Sequence, residues 1–172
     1  MNKIAIIGSA GSGKSTLARQ LGKILDIEVV HMDRLFWNPG WLQSTQEELR
    51  VKQEFYLKKD QWIIEGNYSK VWNERLALAD TIIMIDLNRY LCLYRVVKRW
   101  LHNYGRTRED IGEGCVEKLD KEFVQFVWQF PKKKRSKLIS AQLQHCSHAQ
   151  IIILPSRKSA EKYLNKLHSL KT

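Results

Sequence analysis

Gly8-Ser9-Ala10-Gly11-Ser12-Gly13-Lys14-Ser15 (residues 8–15), followed by Thr16, matches the pattern G-x-x-x-x-G-K-[ST] at every specified position. Glycines at such a spacing let backbone N–H groups converge on phosphate oxygens that a Cβ would obstruct. The surroundings agree. Lys3–Ile7 is a short isoleucine-rich run that ends at Gly8, as a buried strand does, and Leu17, Leu21 and Leu25 recur every fourth residue from Lys14 onward. A strand, a glycine loop and a helix in that order form the phosphate-binding unit of the P-loop proteins. In it Lys14 bridges the β- and γ-phosphates of ATP and the Ser15 hydroxyl ligates Mg²⁺.

Further along, Ile27–Met32 reads as a second strand, Trp62–Ile64 as a third, Thr81–Ile85 as a fourth and Gln150–Leu154 as a fifth. Asn38-Pro39-Gly40 breaks the chain, and Ser44 with Glu47 predicts a capping box for a helix running to about Lys58. Helices are expected over Arg89–His102, Glu117–Gln129 and Lys132–Leu143. A last one, capped by Ser156, carries Tyr163, Leu164, Leu167 and Leu170 on one face. Residues 104–114 are rich in glycine and charge and read as a lid-like loop. Short apolar strands alternating with helices predict a three-layer α/β fold with a parallel sheet covered on both faces. The ligand crevice then lies beyond the carboxyl ends of the strands.

The 172 residues suit one domain, 1–172, with a lid-like insertion at about 104–118. Hydrophobic residues are 44% and charged residues 27%, as in a globular protein. No apolar run approaches a membrane span, and a cytoplasmic location is expected. Cys92, Cys115 and Cys146 provide neither a disulfide framework nor a paired metal knuckle, and His145-Cys146-Ser147-His148 lacks a second ligand cluster. The net charge of +11 is concentrated at one end: residues 131–172 hold ten Lys/Arg and a single acid, Glu161. Such a surface attracts nucleotides and leaves nucleic acid open as a partner, although a solvated basic helix face accounts for it equally.

Within the P-loop proteins, the chain lacks the Asn-Lys-x-Asp segment that reads guanine and the Asp-Glu strand end of motor ATPases. GSAGSGKST (8–16), HMDRLFWNPGW (31–41), WIIEGNY (62–68) and ADTIIMIDL (79–87) instead resemble segments of nucleoside and nucleotide kinases. Over nearly its full length the chain resembles the adenylate-kinase-related bacterial proteins labelled DNA topology modulation or FlaR-like proteins. Their WIIDGNY, LCLYRVVKR, EGC and FPKKKR segments recur here as WIIEGNY, LCLYRVVKR (91–99), EGC (113–115) and FPKKKR (130–135).

That resemblance implies a five-stranded sheet in the order 2-3-1-4-5, and it implies residue roles. Asp33, after strand two, corresponds to the acid that holds Mg²⁺ or takes the proton of the attacking hydroxyl. Glu65, ending strand three, stands where related proteins carry Asp and orient the metal. Asp86 reads as a helix cap. Arg95 and Arg99, four apart on one helix face, correspond to arginines that stack on adenine and clamp phosphates. Arg106 and Arg108 in the lid are placed as arginine fingers, and Ser156 matches the turn that reads the adenine edge.

The positions at which adenylate kinases grip the acceptor's phosphate with arginine hold Phe36 and Ser69. Trp37, Trp41 and Tyr68 stand nearby and suit a ring-bearing hydroxyl acceptor such as a nucleoside. Arg34 or Arg75 could still anchor a phosphate. Three functions remain open: a Mg²⁺-dependent kinase acting on a small acceptor, an ATP-responsive regulator associated with nucleic acid, and an NTPase with no acceptor.

Overall fold

The computed structural model describes residues 1–130 and 148–170. The expected helix Lys132–Leu143, the basic run Lys132–Arg135 and residues 145–147 of the His/Cys cluster lie outside the described residues.

Five strands form one parallel sheet: β1 (Lys3–Gly8), β2 (Val29–His31), β5 (Trp62–Glu65), β6 (Thr81–Ile85) and β7 (Gln150–Leu154). Their spatial order is β2-β5-β1-β6-β7, which is the expected 2-3-1-4-5. β1 lies at the centre, pairing Lys3 with Trp62 on one side and Ile4 with Thr81 on the other. Alternation along β1 sends Ile4 and Ile6 to one face and Ala5 and Ile7 to the other, and each pair joins a separate core.

The first core packs under α3 (Gln46–Leu57) and α4 (Trp72–Leu78), through Leu49, Leu57, Trp72 and Leu76. The second packs under four helices: α1 (Lys14–Leu25), α5 (Arg89–His102), α6 (residues 121–130) and α7 (Arg157–Ser169). Side chains buried on both faces explain why these strands read as unbroken apolar runs. Coverage thins at the β7 edge, where Ile151 and Ile153 are exposed.

Several boundaries differ from the sequence reading, each for a local reason. β2 stops at His31, because the chain turns at Met32 into the short helix α2 (Met32–Phe36). α2 leads into a two-stranded hairpin of β3 (Trp37–Asn38) and β4 (Leu42–Gln43) across Pro39–Trp41. The capping box of α3 is built by Thr45 and Glu48 rather than Ser44 and Glu47. The Ser44 hydroxyl is committed elsewhere, donating to the Leu35 carbonyl and accepting from Lys52 Nζ at 2.9 Å.

The cap of α5 is Asn88, whose Oδ1 accepts from the Tyr90 N–H, and not Asp86. α6 begins at residue 121, because Asp120 Oδ1 accepts the Phe123 N–H there while Glu117 is held in a bridge to Tyr104. On α7, Leu164 is buried and Tyr163 and Leu167 pack on the core, but Leu170 lies past the helix end and is 73% exposed. Among the described residues no helix is long and apolar enough to cross a membrane.

Candidate functional site

The carboxyl ends of β1, β2 and β5 open into one cleft of about 1610 Å³, lined by the glycine loop, Asp33, Glu65, the Trp37–Trp41 turn and the segment 107–118. The loop follows β1 without a break. Gly8 has φ of 155°, and a Cβ there would fall 2.6 Å from the Ile85 carbonyl oxygen, so only glycine brings β1 this close to β6. Asn67 clamps the same residue from the other side: its Nδ2 donates to the Gly8 carbonyl at 2.8 Å and its Oδ1 accepts the Gly8 N–H at 3.3 Å.

Beyond the loop, α1 starts on Gly13 with no side-chain cap and no acid in its first turn. Its first N–H groups therefore face the cleft with the positive end of the helix dipole. By contrast α3 and α7 are closed by capping boxes. The loop fits a phosphate chain in two further respects. Lys14 Nζ curls back to the Ser9 carbonyl at 3.1 Å, which holds the ammonium over the loop. The Ser12 hydroxyl is buried and has no partner among the described residues, an arrangement that costs free energy unless a ligand oxygen meets it.

Next to the loop, the Ser15 hydroxyl donates to Glu65 Oε1 at 3.0 Å. The same carboxylate oxygen accepts from His31 Nδ1 at 2.8 Å. Burial opposes ionisation of Glu65, but the His31 hydrogen bond, the Lys14 charge and the Ser15 hydroxyl together hold its carboxyl below the usual range.

Asp33 behaves in the opposite way. Burial and the neighbouring Glu65 raise its carboxyl above the ordinary value, against the Tyr68 hydrogen bond and the charges of Lys14 and Arg108. Tyr68 Oη donates to Asp33 Oδ1 at 2.6 Å, and burial together with that carboxylate pushes the phenol strongly upward, so it stays a donor. Ser15, Glu65 and Asp33 are all-oxygen donors beside a phosphate loop, a set that fits Mg²⁺, which takes one or two carboxylates along with substrate phosphates. Among the described residues no group of three His, Cys, Asp or Glu side chains that could hold a metal ion occurs.

Phe36, Trp37 and Trp41 form an aromatic wall of the cleft. Ring centroids lie 4.8 Å apart for Phe36–Trp37, 5.1 Å for Trp37–Trp41 and 4.8 Å for Phe36–Tyr68. Trp41 adopts φ of 66°, a left-handed conformation that bulky residues rarely hold without support. The support comes from the segment opposite: Trp41 Nε1 donates to the Val116 carbonyl at 2.8 Å, and Lys118 Nζ lies 4.8 Å above its ring.

Neither sequence candidate for a phosphate anchor reaches the cleft. Arg34 is exposed and outside the lining. Arg75 is fully buried, donates to the Gly66 carbonyl at 2.9 Å, and has its pKa lowered by burial to about 10. Arginines lining the cleft among the described residues are Arg19, Arg95, Arg99, Arg108 and Arg157.

Arg95, Arg99, Arg108 and Ser156 line the cleft, whereas Arg106 is exposed and outside the lining. Three contributors had gone unnoticed. Asn67 lies within the WIIEGNY segment, but nothing in the sequence gives it a role. Asp110 is held low by Arg108 despite its burial. Glu117 is buried between two arginines. Glu117 meets Arg99 from another element, a pairing that leaves no spacing signal in the sequence.

With this geometry in hand, the solved structures are informative. A shikimate kinase from Acinetobacter baumannii in complex with shikimate matches with a TM-score of 0.66 and 14% identity, over 99% of this chain and 92% of that one. The fold is that of the shikimate kinases. A second one, from Bacteroides thetaiotaomicron, matches with a TM-score of 0.52 and 17% identity, over 97% of this chain and 96% of that one. No protein-family model matches the chain, and no curated protein matches it. At these identities the likeness is one of fold, and the chemistry rests on the residues themselves.

Proposed function

We propose that the chain is a Mg²⁺-dependent kinase that moves the γ-phosphoryl group of ATP to the hydroxyl of a small, ring-bearing, uncharged acceptor of the nucleoside type. The observation that carries this reading is Asp33. A carboxylate with a raised pKa faces the cleft between the phosphate loop and the aromatic wall, and Tyr68 fixes its orientation. An acid there accepts the proton of an attacking hydroxyl, and positioning supplies most of the rate in phosphoryl transfer.

The other residues divide the work. The loop amides of residues 8–16 and Lys14 hold the triphosphate; Arg95 and Ser156 border the base. Arg99 and Arg108 face the transferring group. Ser15, Glu65 and Asp33 would hold Mg²⁺, which screens the charge of the phosphates when bound. In this reading the chain is one domain, with residues 104–118 as its lid.

The likeness to kinases of a small hydroxyl compound, one of them in complex with shikimate, supports a hydroxyl acceptor. Neither Arg34 nor Arg75 lines the cleft, which disfavours a phosphorylated acceptor. Measuring ADP release against nucleosides, nucleotides and small alcohols tests the reading: a ring-bearing neutral alcohol should stimulate it. Release that no acceptor stimulates would leave an acceptor-free NTPase.

A second reading is an ATP-responsive regulator associated with nucleic acid. It is favoured by the basic 131–172 stretch and by the resemblance to DNA topology modulation proteins. It requires duplex binding that responds to ATP and falls steeply with salt.

A further inference from the structure

Arg99 and Arg108 come from different elements, α5 and the 107–118 segment, yet both line the cleft. Two guanidiniums brought together repel: burial and then the Arg108 charge both depress the Arg99 pKa. What lets them stand side by side is one carboxylate. Glu117 Oε1 accepts from Arg99 Nε at 3.2 Å, and its other oxygen, Oε2, accepts from Arg108 Nε.

The two bonds use opposite oxygens of a side chain only 3% exposed, so each is shielded from water and screened little by salt. Both are made through Nε, which leaves the terminal nitrogens of Arg99 and Nη2 of Arg108 unspent on Glu117; Arg108 Nη1 goes to Asp110 at 3.0 Å. A planar guanidinium fixed at its Nε edge offers its remaining donors in a set direction.

Glu117 is itself fixed. Its N–H donates to the Arg106 carbonyl at 2.9 Å, and the preceding residue, Val116, bridges to Thr107 and accepts the Trp41 bond from the acceptor side. Gly112 seals the same junction: a Cβ there would collide with the Trp37 carbonyl oxygen, so only glycine lets this segment lie against the aromatic turn. The segment that carries Glu117 is thus held against the aromatic turn, while its carboxylate reaches Arg99 on α5.

We propose that Glu117 is a positioning residue that yokes Arg99 and Arg108 into one cationic clamp on the terminal phosphate. This deepens the kinase reading and rests on it. Glu117 touches no substrate and acts through the two arginines. A merely structural role would affect all nucleotides alike, whereas a clamp on the terminal phosphate distinguishes ATP from ADP.

The test is calorimetric titration of Mg–ATP and Mg–ADP into the unaltered protein, Glu117→Gln, Arg108→Ala and the double variant. The clamp requires Glu117→Gln to lower the ATP-over-ADP preference by about tenfold, with ADP affinity held within about twofold. It also requires the losses of Glu117→Gln and Arg108→Ala to combine in the double variant to less than their product, because residues in one network are not additive. An unchanged preference, or equal loss for both nucleotides, overturns the proposal.

Should Glu117→Gln not fold, Arg99→Ala and Arg108→Ala take its place: their losses must combine to less than their product, and independent multiplicative losses overturn it. Failure of the unaltered protein to take up either nucleotide would sink the kinase reading and the clamp together. Uptake insensitive to Glu117 sinks the clamp alone.

Discussion

Ser15 Oγ donates to Glu65 Oε1 at 3.0 Å, joining the first helical turn after the phosphate loop to the end of the adjacent strand β5. The Glu65 side chain therefore reaches the hydroxyl that P-loop proteins use for Mg²⁺. Glu65→Gln keeps the shape and removes the charge. Nucleotide affinity measured with Mg²⁺ should fall at least tenfold, while affinity measured in chelator should change little, since the loop amides and Lys14 are untouched.

Asp33 sets a pH signature. Its folded pKa is raised, so the folded state holds this proton more tightly than the unfolded chain does. The stability it contributes is complete below the unfolded value of about 4 and is lost as pH rises through the folded value. At neutral pH ionised Asp33 therefore costs stability. Asp33→Asn should raise the melting temperature at pH 7 by a few degrees, about 2–4 °C for each kcal/mol in a chain of this size, and the gain should vanish near pH 4. The same variant should abolish acceptor-dependent ADP release. Calorimetric melts across pH read the first effect and a coupled ADP assay the second.

Asn67 should matter for nucleotide binding without touching nucleotide. Asn67→Ala leaves both the N–H and the carbonyl of Gly8 without their side-chain partner. Each lost bond costs on the order of 1 kcal/mol. Mg–ATP affinity should fall about tenfold, a change that titration calorimetry resolves.

Trp37→Ala should act on one substrate only. Its ring lines the cleft and packs between Phe36 and Trp41. The KM for the stimulating acceptor should rise at least tenfold with the KM for ATP within about twofold. Initial-rate kinetics with each substrate varied in turn separates the two.

Much of this was legible in the chain because the physics involved is local. β1, β5 and β6 are buried on both faces, so they read as unbroken apolar runs, and the glycine loop announces itself between a strand and a helix. Arg89–His102 appears as a helix with the bounds expected of it. Where two local solutions competed, tertiary contacts chose. Ser44 and Thr45 each offer a box with an acid three residues on, and Lys52 and Leu35 take the Ser44 hydroxyl, which leaves the cap to Thr45.

The site divides the same way. Lys14, Ser15, Asp33 and the tryptophans were named from the sequence because loop chemistry and chain order place them. Arg106 and Arg108 are two apart in an irregular segment, where spacing says nothing of direction; only Arg108 finds buried acids, Asp110 and Glu117, to turn it into the cleft. Helix α4, with Arg75 buried beneath Gly66, was not foreseen either, since a polar residue at its centre masks the apolar face of Trp72 and Leu76.

The central claim is that residues 8–16 cradle the phosphates of a Mg-bound nucleotide. Titration calorimetry of Mg–ATP into the folded protein and into Lys14→Ala tests it most directly. The account predicts saturable uptake of one nucleotide per chain, weakened at least tenfold by the substitution with the melting profile retained. No uptake, or uptake that Lys14→Ala leaves unchanged, would contradict it.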